Sequence, residues 1–442
     1  MRNAKEFLTQ ECGNLSAVLE ETLRFKYGLE GSKEFFEECQ ARLKFLAGEL
    51  TGTPETNFDA LQKLSMLLSE LAKLISRMER SSLGEYSWPF VEELKRIAVA
   101  TCTEATLTDP KTPPQIFVLS GGGLGSYAIH VEVNRPSGSR MRIHSIVFPR
   151  TLKHFVLLHS ILGHELGHAI WKCSQHQKAV RTIVNRELFS TGHFANPPAT
   201  AAWLYANGAP AGVKKILAGL AGRGVTQGNF FGKIASWPAW IEEITCDFIG
   251  LVTFGPSFVA AESNLLYSCN PDGTLPGPQH PPVGCRGNYL LTGASVRGYD
   301  TDAFADATLK RAVEAFWTSM RGRRQIDPWF DVFTPDQIRN TANQLAVLMD
   351  TLPPASYPMP DERDLLLLVN QLARGVPPVG YEIGAGQAVS CRPIDFRHSL
   401  YAGWITAYTP PPEISFAEIN RLCEHGIMQQ RAIDMQLSAS ST

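Results

Sequence analysis

The stretch LLHSILGHELGHAIW, residues 157–171, constrains the fold of this chain more than any other. Apolar residues recur every three to four positions over 151–173, shortly after Pro149, and this pattern predicts a helix. Within it, the pentapeptide HELGH places His164 and His168 four residues apart. Residues at i and i+4 project from one face of a helix, one turn apart. Two ligands of one tetrahedral zinc ion need this spacing; a buried helix with two hydrogen-bonded histidines is the alternative.

Glu165 adds a carboxylate beside this histidine pair. It lies about 100° around the helix from His164, where it could reach a metal-activated water without binding the metal itself. Such a carboxylate can take the proton of the water and later deliver it to a leaving amine. Gly163 and Gly167 are poor helix formers that cost about 1 kcal/mol each. We therefore expect these glycines to let another element approach the helix closely.

A catalytic zinc site requires a third protein ligand. The arrangement HExxHxxGxxH is excluded, because neither its glycine nor its third histidine is present. The segment WIEEITCDFIGL, residues 240–251, offers Glu243 and Asp247 on one face of a predicted helix. We expect Glu243 to bind the zinc and Asp247 to accept the free ring N–H of a ligating histidine. Glu242 remains an alternative ligand, and a solvated acidic helix edge remains an alternative to any site.

HExxH followed by ExxxD on a later helix resembles the pattern of zinc peptidases with glutamate as third ligand, the gluzincins. The gap of 75 residues between His168 and Glu243 makes the chain look more like HtpX-like and CAAX prenyl protease peptidases, over about residues 115–290. That group carries a His-Pro and then an arginine after the ExxxD helix, and HPPVGCR supplies His280 and Arg286. The resemblance implies a Zn²⁺ cofactor, a protein or peptide substrate, and contact of His280 or Arg286 with the substrate backbone or the oxyanion. The group consists of membrane peptidases, and this chain departs from it in having no membrane-spanning apolar segment.

Other side chains could supply the donor that a tetrahedral oxyanion requires. Tyr289 follows HPPVGCR closely, and the segment DFRHSLYAGW, residues 395–404, offers His398 and Tyr401. We rank these residues below His280, and an ordinary packed segment is the alternative for 395–404. Nucleophilic catalysis is not indicated, because no GxSxG motif is present.

Composition limits the partners of the chain. It has 41 Lys and Arg against 43 Asp and Glu, without a basic run, which argues against nucleic acid and anionic membranes as partners. The longest apolar run, residues 248–261, contains Gly and Pro, and it is too short for a transmembrane helix. Nine cysteines without a CxxC pair, together with a start that lacks an apolar leader segment, predict a reducing, cytoplasmic location.

These features predict a mainly helical α+β protein with a zincin-like core and a small β-sheet, whose strand-like segments fall between 115 and 148. We predict an N-terminal helical region at 1–110, a zinc metallopeptidase core at 111–300 and a C-terminal helical region at 301–442. The predicted function is that of a zinc-dependent endopeptidase with a narrow or regulated substrate range. The alternative is a non-catalytic, zinc-bound regulatory or partner-binding protein on a peptidase-like fold.

Overall fold

Helices predominate in the computed structural model of the chain, which confirms the mainly helical class. The residues that the structure describes are 4–22, 32–82, 87, 89–94, 96–97, 115–120, 127–134, 141–171, 174–206, 211–221, 237–269, 280–300, 304–322, 332–351, 356–383, 389–409 and 413–440. Within these ranges, no helix combines the length and the apolar character that crossing a membrane requires. Six cysteines are free thiols, namely Cys12, Cys39, Cys246, Cys285, Cys391 and Cys423.

The chain forms two compact units, and the first contains Met1–Val91 and Thr108–Lys153. Its helices are α1 (Ala4–Thr22), α2 (Ser32–Gly52) and α3 (Phe58–Ser82), followed after the strands by a 3-10 turn at Arg150–Leu152. Leucines spaced three to four residues apart along α3 face the other two helices. Leu71 of α3 and Phe36 of α2 are fully buried in the resulting core.

The three predicted strands form one sheet in this first unit. They are β1 (Gln115–Ser120), β2 (Ala128–Asn134) and β3 (Met141–Phe148). β3 is the central strand, antiparallel to β2 and parallel to β1, and α3 packs against β1. The strands are therefore confirmed where the alternating pattern predicted them.

The second unit contains Glu92–Leu107 and His154–Thr442. Its α-helices are α4 (Leu162–Trp171), α5 (Ser174–Val184), α6 (Pro197–Ala206), α7 (Ala211–Ala221), α8 (Trp237–Phe254), α9 (Pro256–Cys269), α10 (Val283–Val296), α11 (Ala307–Gly322), α12 (Pro335–Met349), α13 (Glu362–Ala373), α14 (Phe396–Tyr408) and α15 (Phe416–Ser440). Shorter turns lie at Val156–Ile161, Asn185–Phe189 and Gly192–Ala195, and β4 (Tyr381–Ile383) pairs with β5 (Val389–Cys391) in an antiparallel ribbon.

The two compact units do not coincide with the three predicted regions. The strands belong with the N-terminal helices, and the helices beyond residue 300 belong with the histidine helix. The boundaries 1–110, 111–300 and 301–442 remain a prediction about functional regions rather than about compact units.

The histidine helix is shorter than the pattern over 151–173 predicted. The α-helix α4 begins only at Leu162, and a 3-10 turn occupies Val156–Ile161 before it. Tertiary hydrogen bonds account for the irregular start, because Asn420 Oδ1 accepts from the N–H of Leu157 at 3.1 Å and Trp404 Nε1 donates to its carbonyl at 3.2 Å. These side chains of α15 and α14 hold the approach to the histidine helix in place.

Two glycines allow α4 to lie directly against α8. A Cβ atom on Gly167 would come 2.5 Å from the Cα of Cys246, and one on Gly163 would come 2.9 Å from the Cα of Gly250. No side chain fits at such distances, so the two backbones touch at these points. The close approach that was predicted from HELGH is confirmed, and it brings the acidic residues of α8 to the histidines.

Candidate metal centre

The two histidines of HELGH lie on α4 with their rings side by side. The ring centroids of His164 and His168 are 5.0 Å apart, and the ring planes meet at 82°. Both Nε2 atoms face Glu243 of α8: that of His164 is 3.3 Å from Oε2 and that of His168 is 3.6 Å from Oε1. The structure thus brings together the three residues predicted as metal ligands.

The surroundings of Glu243 fit a metal ligand. Its side chain is 8% exposed, and its Oε2 atom is buried without a hydrogen bond from any described residue. Such an oxygen loses its hydration on folding, which costs free energy unless a cation compensates. Zn–N bonds of about 2.0–2.1 Å set ligand atoms about 3.3–3.4 Å apart in a tetrahedral site, close to the two distances above. The donor set of two imidazoles and one carboxylate therefore fits zinc.

A carboxylate holds the other ring nitrogen of each histidine. His164 Nδ1 donates to Asp247 Oδ1 at 2.7 Å, and His168 Nδ1 donates to Glu242 Oε1 at 2.8 Å. An acceptor at Nδ1 fixes the tautomer whose Nε2 lone pair is free for a metal. Asp247 lies where the sequence predicted it. Glu242, the alternative ligand, instead holds His168 from the side opposite Glu243.

Asp247 is completely buried among donors. Arg286 of α10 donates from Nε to Oδ2 at 2.8 Å and from Nη2 to Oδ1 at 2.6 Å, and Tyr289 donates its hydroxyl to Oδ2. Arg286 Nη2 also donates to Glu262 Oε1 of α9 at 2.7 Å. Burial opposes ionisation of Asp247, but Arg286 and His164 hold its pKa well below the ordinary value. By contrast, burial raises the pKa of Glu262 to about 7.

Arg286 and Tyr289 differ from the roles proposed for them from the sequence. Arg286 was a candidate for contact with substrate, yet its side chain is 5% exposed and its guanidinium is bound to two carboxylates. Tyr289 is likewise buried. Both act on the Nδ1 side of His164 through Asp247, whereas a metal and its substrate would lie on the Nε2 side. The physical reason is that a buried guanidinium requires carboxylate partners, which bind it away from any open surface.

His280 lies on the exposed side of Glu243. Its Nε2 atom is 3.5 Å from Glu243 Oε2, and its side chain is 56% exposed. Partial burial lowers the pKa of the imidazole below its ordinary value, which favours the neutral ring at neutral pH. A neutral imidazole can donate one hydrogen bond, so the position is compatible with the predicted contact to substrate or oxyanion. That contact remains a prediction.

Cys246 is a further candidate ligand, which the sequence analysis did not include. Its Sγ atom and one ring nitrogen each of His164 and His168 lie within 4.8 Å of one another. Cys246 is completely buried, directly beneath Gly167, and burial raises the pKa of its thiol well above the ordinary value. A metal held through Cys246 would lie between α4 and α8.

Glu165 and the two C-terminal candidates have different surroundings. Glu165 is only partly buried on α4. His398 Nε2 donates to the carbonyl of Pro358 at 2.7 Å, and Tyr401 packs its buried ring against Phe316. The described structure gives His398 and Tyr401 no contact with the histidine pair. Their role as oxyanion donors remains a prediction without geometric support.

Searches of known protein families, curated proteins and solved structures gave no match for this chain. The resemblance to gluzincins therefore rests on the two motifs and on the geometry of the residues in them. Three participants at the centre, Glu242 as a histidine partner, Cys246 and Glu262, were not predicted from the sequence. Glu262 carried a usable signal, because a lone carboxylate within the apolar stretch FVAAESNLL must find a buried partner.

Proposed function

We propose that this protein is a zinc-dependent peptidase with His164, His168 and Glu243 as ligands and Glu165 as general base. The observation that carries the proposal is that the two nitrogens of each imidazole face different carboxylates. Each Nδ1 atom is held by its own carboxylate, and each Nε2 atom faces Glu243, whose buried Oε2 atom accepts no hydrogen bond from any described residue. Zinc-binding histidines in proteins almost always donate the second ring N–H to a carboxylate, a backbone carbonyl or a water.

The residues of the chain would divide the chemistry among them. When bound, the zinc would supply a Lewis acid and an activated water. Glu165 would take a proton from the attacking water and return it to the amine of the broken peptide bond, so no covalent enzyme intermediate is needed. His280, neutral and half-exposed beside Glu243, would donate to the carbonyl oxygen as it becomes an oxyanion. Asp247 and Glu242 would hold the ligands in their tautomer.

The substrate class rests on the resemblance to gluzincins, which implies a protein or peptide substrate. We infer a narrow or regulated range, and a cytoplasmic location that the free thiols of the described cysteines support. Incubation with a panel of unrelated unfolded proteins tests the range. Cleavage of all of them at similar rates would contradict it.

A second candidate function is favoured by Cys246. A site of His164, His168 and Cys246 would lie between two helices and have a soft thiolate ligand, which structural zinc sites commonly use. The protein would then be a zinc-bound regulatory or partner-binding protein without catalysis. The two candidates differ in which residue of α8 binds the metal.

The deciding experiment is the metal content of purified variants, measured by elemental mass spectrometry after zinc-supplemented purification. We expect about one zinc per chain in the wild type and in Cys246→Ser, and much less in Glu243→Ala. Glu418→Ala, on the exposed side of α15, is the control for removing a carboxylate. Loss of zinc in Cys246→Ser with retention in Glu243→Ala would favour the structural site. Absence of zinc from the wild type would contradict both functions.

The spectrum of the cobalt-substituted protein provides a second measurement. A cysteine ligand gives a sulfur-to-cobalt charge-transfer band in the near ultraviolet, and a site of histidine and glutamate does not. We expect no such band in the wild type. Its presence there, and its disappearance in Cys246→Ser, would overturn the proposed ligand set.

A further inference from the structure

Glu262 is a buried carboxylate that the proposed mechanism does not use. It belongs to α9, follows the completely buried residues Phe258, Val259, Ala260 and Ala261, and is itself only 3% exposed. Its Oε1 atom accepts from Arg286 Nη2 at 2.7 Å. Arg286 in turn makes two hydrogen bonds to Asp247. Glu262 is thus two residues removed from His164 along a continuous chain of bonds.

The negative charge of Glu262 is not required to neutralise the guanidinium of Arg286. Asp247 alone, bonded through both of its oxygens, neutralises the guanidinium. A glutamine or a backbone carbonyl could accept the remaining N–H equally well, without the several kcal/mol that an additional buried ion costs. A carboxylate at this position, rather than a neutral acceptor, therefore indicates a second cation nearby.

The balance of buried charge around His164 indicates which cation. Asp247, Glu243 and Glu262 contribute three carboxylates, and Arg286 contributes the one guanidinium. With all three carboxylates ionised and both histidines neutral, these four side chains would carry two net negative charges in a region of low dielectric. A divalent cation bound at the Nε2 atoms of the histidines would neutralise both.

We propose that Glu262 is a positioning residue of the metal centre, which completes the charge balance for a divalent cation and holds Arg286 against Asp247. The inference rests on the proposed zinc site and names a residue that does not touch the metal. Through Arg286 and Asp247, Glu262 keeps the His164 ring turned with Nε2 toward Glu243. Partners of this kind typically change metal affinity by about 10- to 100-fold.

The test is the zinc affinity of Glu262→Gln, measured by competition with a chromogenic chelator. Glutamine preserves the size and the acceptor for Arg286 but removes the charge. We expect zinc to bind at least about tenfold more weakly than to the wild type, while the melting temperature of the metal-free protein stays the same or rises. Ser263→Ala, at the adjacent buried position of α9, is the matched control and should bind zinc like the wild type.

Glu262→Met extends the test, because it removes both the charge and the acceptor at similar volume. We expect it to bind zinc more weakly than Glu262→Gln does, and to regain full occupancy at higher zinc concentration. Wild-type affinity in Glu262→Gln would overturn the proposal while leaving the zinc site intact. Unfolding of both variants would show that Glu262 serves the core instead, and would overturn it too. A wild type that binds no zinc would overturn the proposed function, and this inference with it.

Discussion

Glu165 differs from His164 and His168 in the role proposed for it as well as in its position. His164 is buried and bonded to Asp247, whereas Glu165 is partly exposed and is not needed to complete a ligand set. A structural metal site has no use for a carboxylate at this place in HELGH. The residue therefore separates a catalytic from a structural centre.

Glu165→Gln is expected to retain zinc and to lose turnover by several orders of magnitude. Glutamine cannot take the proton of the attacking water, and proton transfer of this kind contributes about 10²- to 10⁴-fold to rate. Zinc content and peptide hydrolysis, measured on the same preparation, check the prediction. Full activity in this variant would contradict the mechanism.

The two carboxylates that hold the histidines should respond differently to neutral substitution. Asp247 is completely buried and binds Arg286 and Tyr289 as well as His164, whereas the side chain of Glu242 is 30% exposed. Asp247→Asn would remove one of the two carboxylates that bind the buried guanidinium of Arg286 and the charged acceptor of His164 Nδ1, so both stability and zinc should be lost. Glu242→Gln should lower zinc affinity about tenfold with little change in melting temperature. Equal melting temperatures for the two variants would contradict this difference.

From the sequence, residues at this centre could be identified only where the helical period relates one to another. The spacing of His164 and His168, and of Glu243 and Asp247, follows from helix geometry, and the structure brings these four together. Which of Glu242 and Glu243 faces the Nε2 atoms depends on the rotation of α8 against α4. Glu262 reaches this centre through Arg286, so its place in an apolar stretch indicates a buried partner but not which residue that partner is.

At the scale of elements, the distance between α4 and α8 determines whether a centre can form. Gly167 is the closest point, since its Cβ position lies 2.5 Å from the Cα of Cys246. Backbone atoms cannot move aside as the end of a flexible side chain can. Any side chain at this position must push the two helices apart, and with them the histidines and the carboxylates.

Gly167→Ala is therefore expected to destabilise the protein and to abolish tight zinc binding. Overpacking costs about 1–3 kcal/mol where side chains can adjust, and more is expected against backbone. Gly219→Ala is the control, because Gly219 lies on α7 with nothing within 4 Å of its Cβ position; alanine should stabilise that helix by up to about 1 kcal/mol. Melting temperature and zinc content check both. Normal zinc binding in Gly167→Ala would show that the approach of the helices is not needed.

Secondary-structure elements were predictable where the pattern of one buried face determines them. They were less predictable where contacts with other elements determine them. The alternating pattern gave the strands, but nothing in it indicates that β3 lies between β1 and β2 or that it runs parallel to β1. The start of α4 was predicted too early, because apolar periodicity does not distinguish an α-helix from a 3-10 turn. There the side chains of Asn420 and Trp404 determine the backbone of Leu157 from more than two hundred residues away.

At the scale of the whole molecule, the proposed ligands and the residues that hold them belong to one compact unit. α4, α8, α9 and α10 all lie within His154–Thr442. The first unit has its own apolar core, in which Leu71 is completely buried. Each unit combines two separate stretches of the chain, which explains why predicted regions that are continuous in sequence follow other boundaries.

Zinc should therefore stabilise the second unit selectively. A ligand at about 100 times its Kd stabilises the form that binds it by about 2.7 kcal/mol. In differential scanning calorimetry, we expect added zinc to raise, and chelator to lower, the unfolding temperature of the second unit. Leu71→Ala assigns the transitions, because a leucine-to-alanine change in a core costs about 2–5 kcal/mol and should lower the transition of the first unit. If zinc instead raises the transition that Leu71→Ala lowers, while the other stays fixed, the metal does not bind at the histidines of α4.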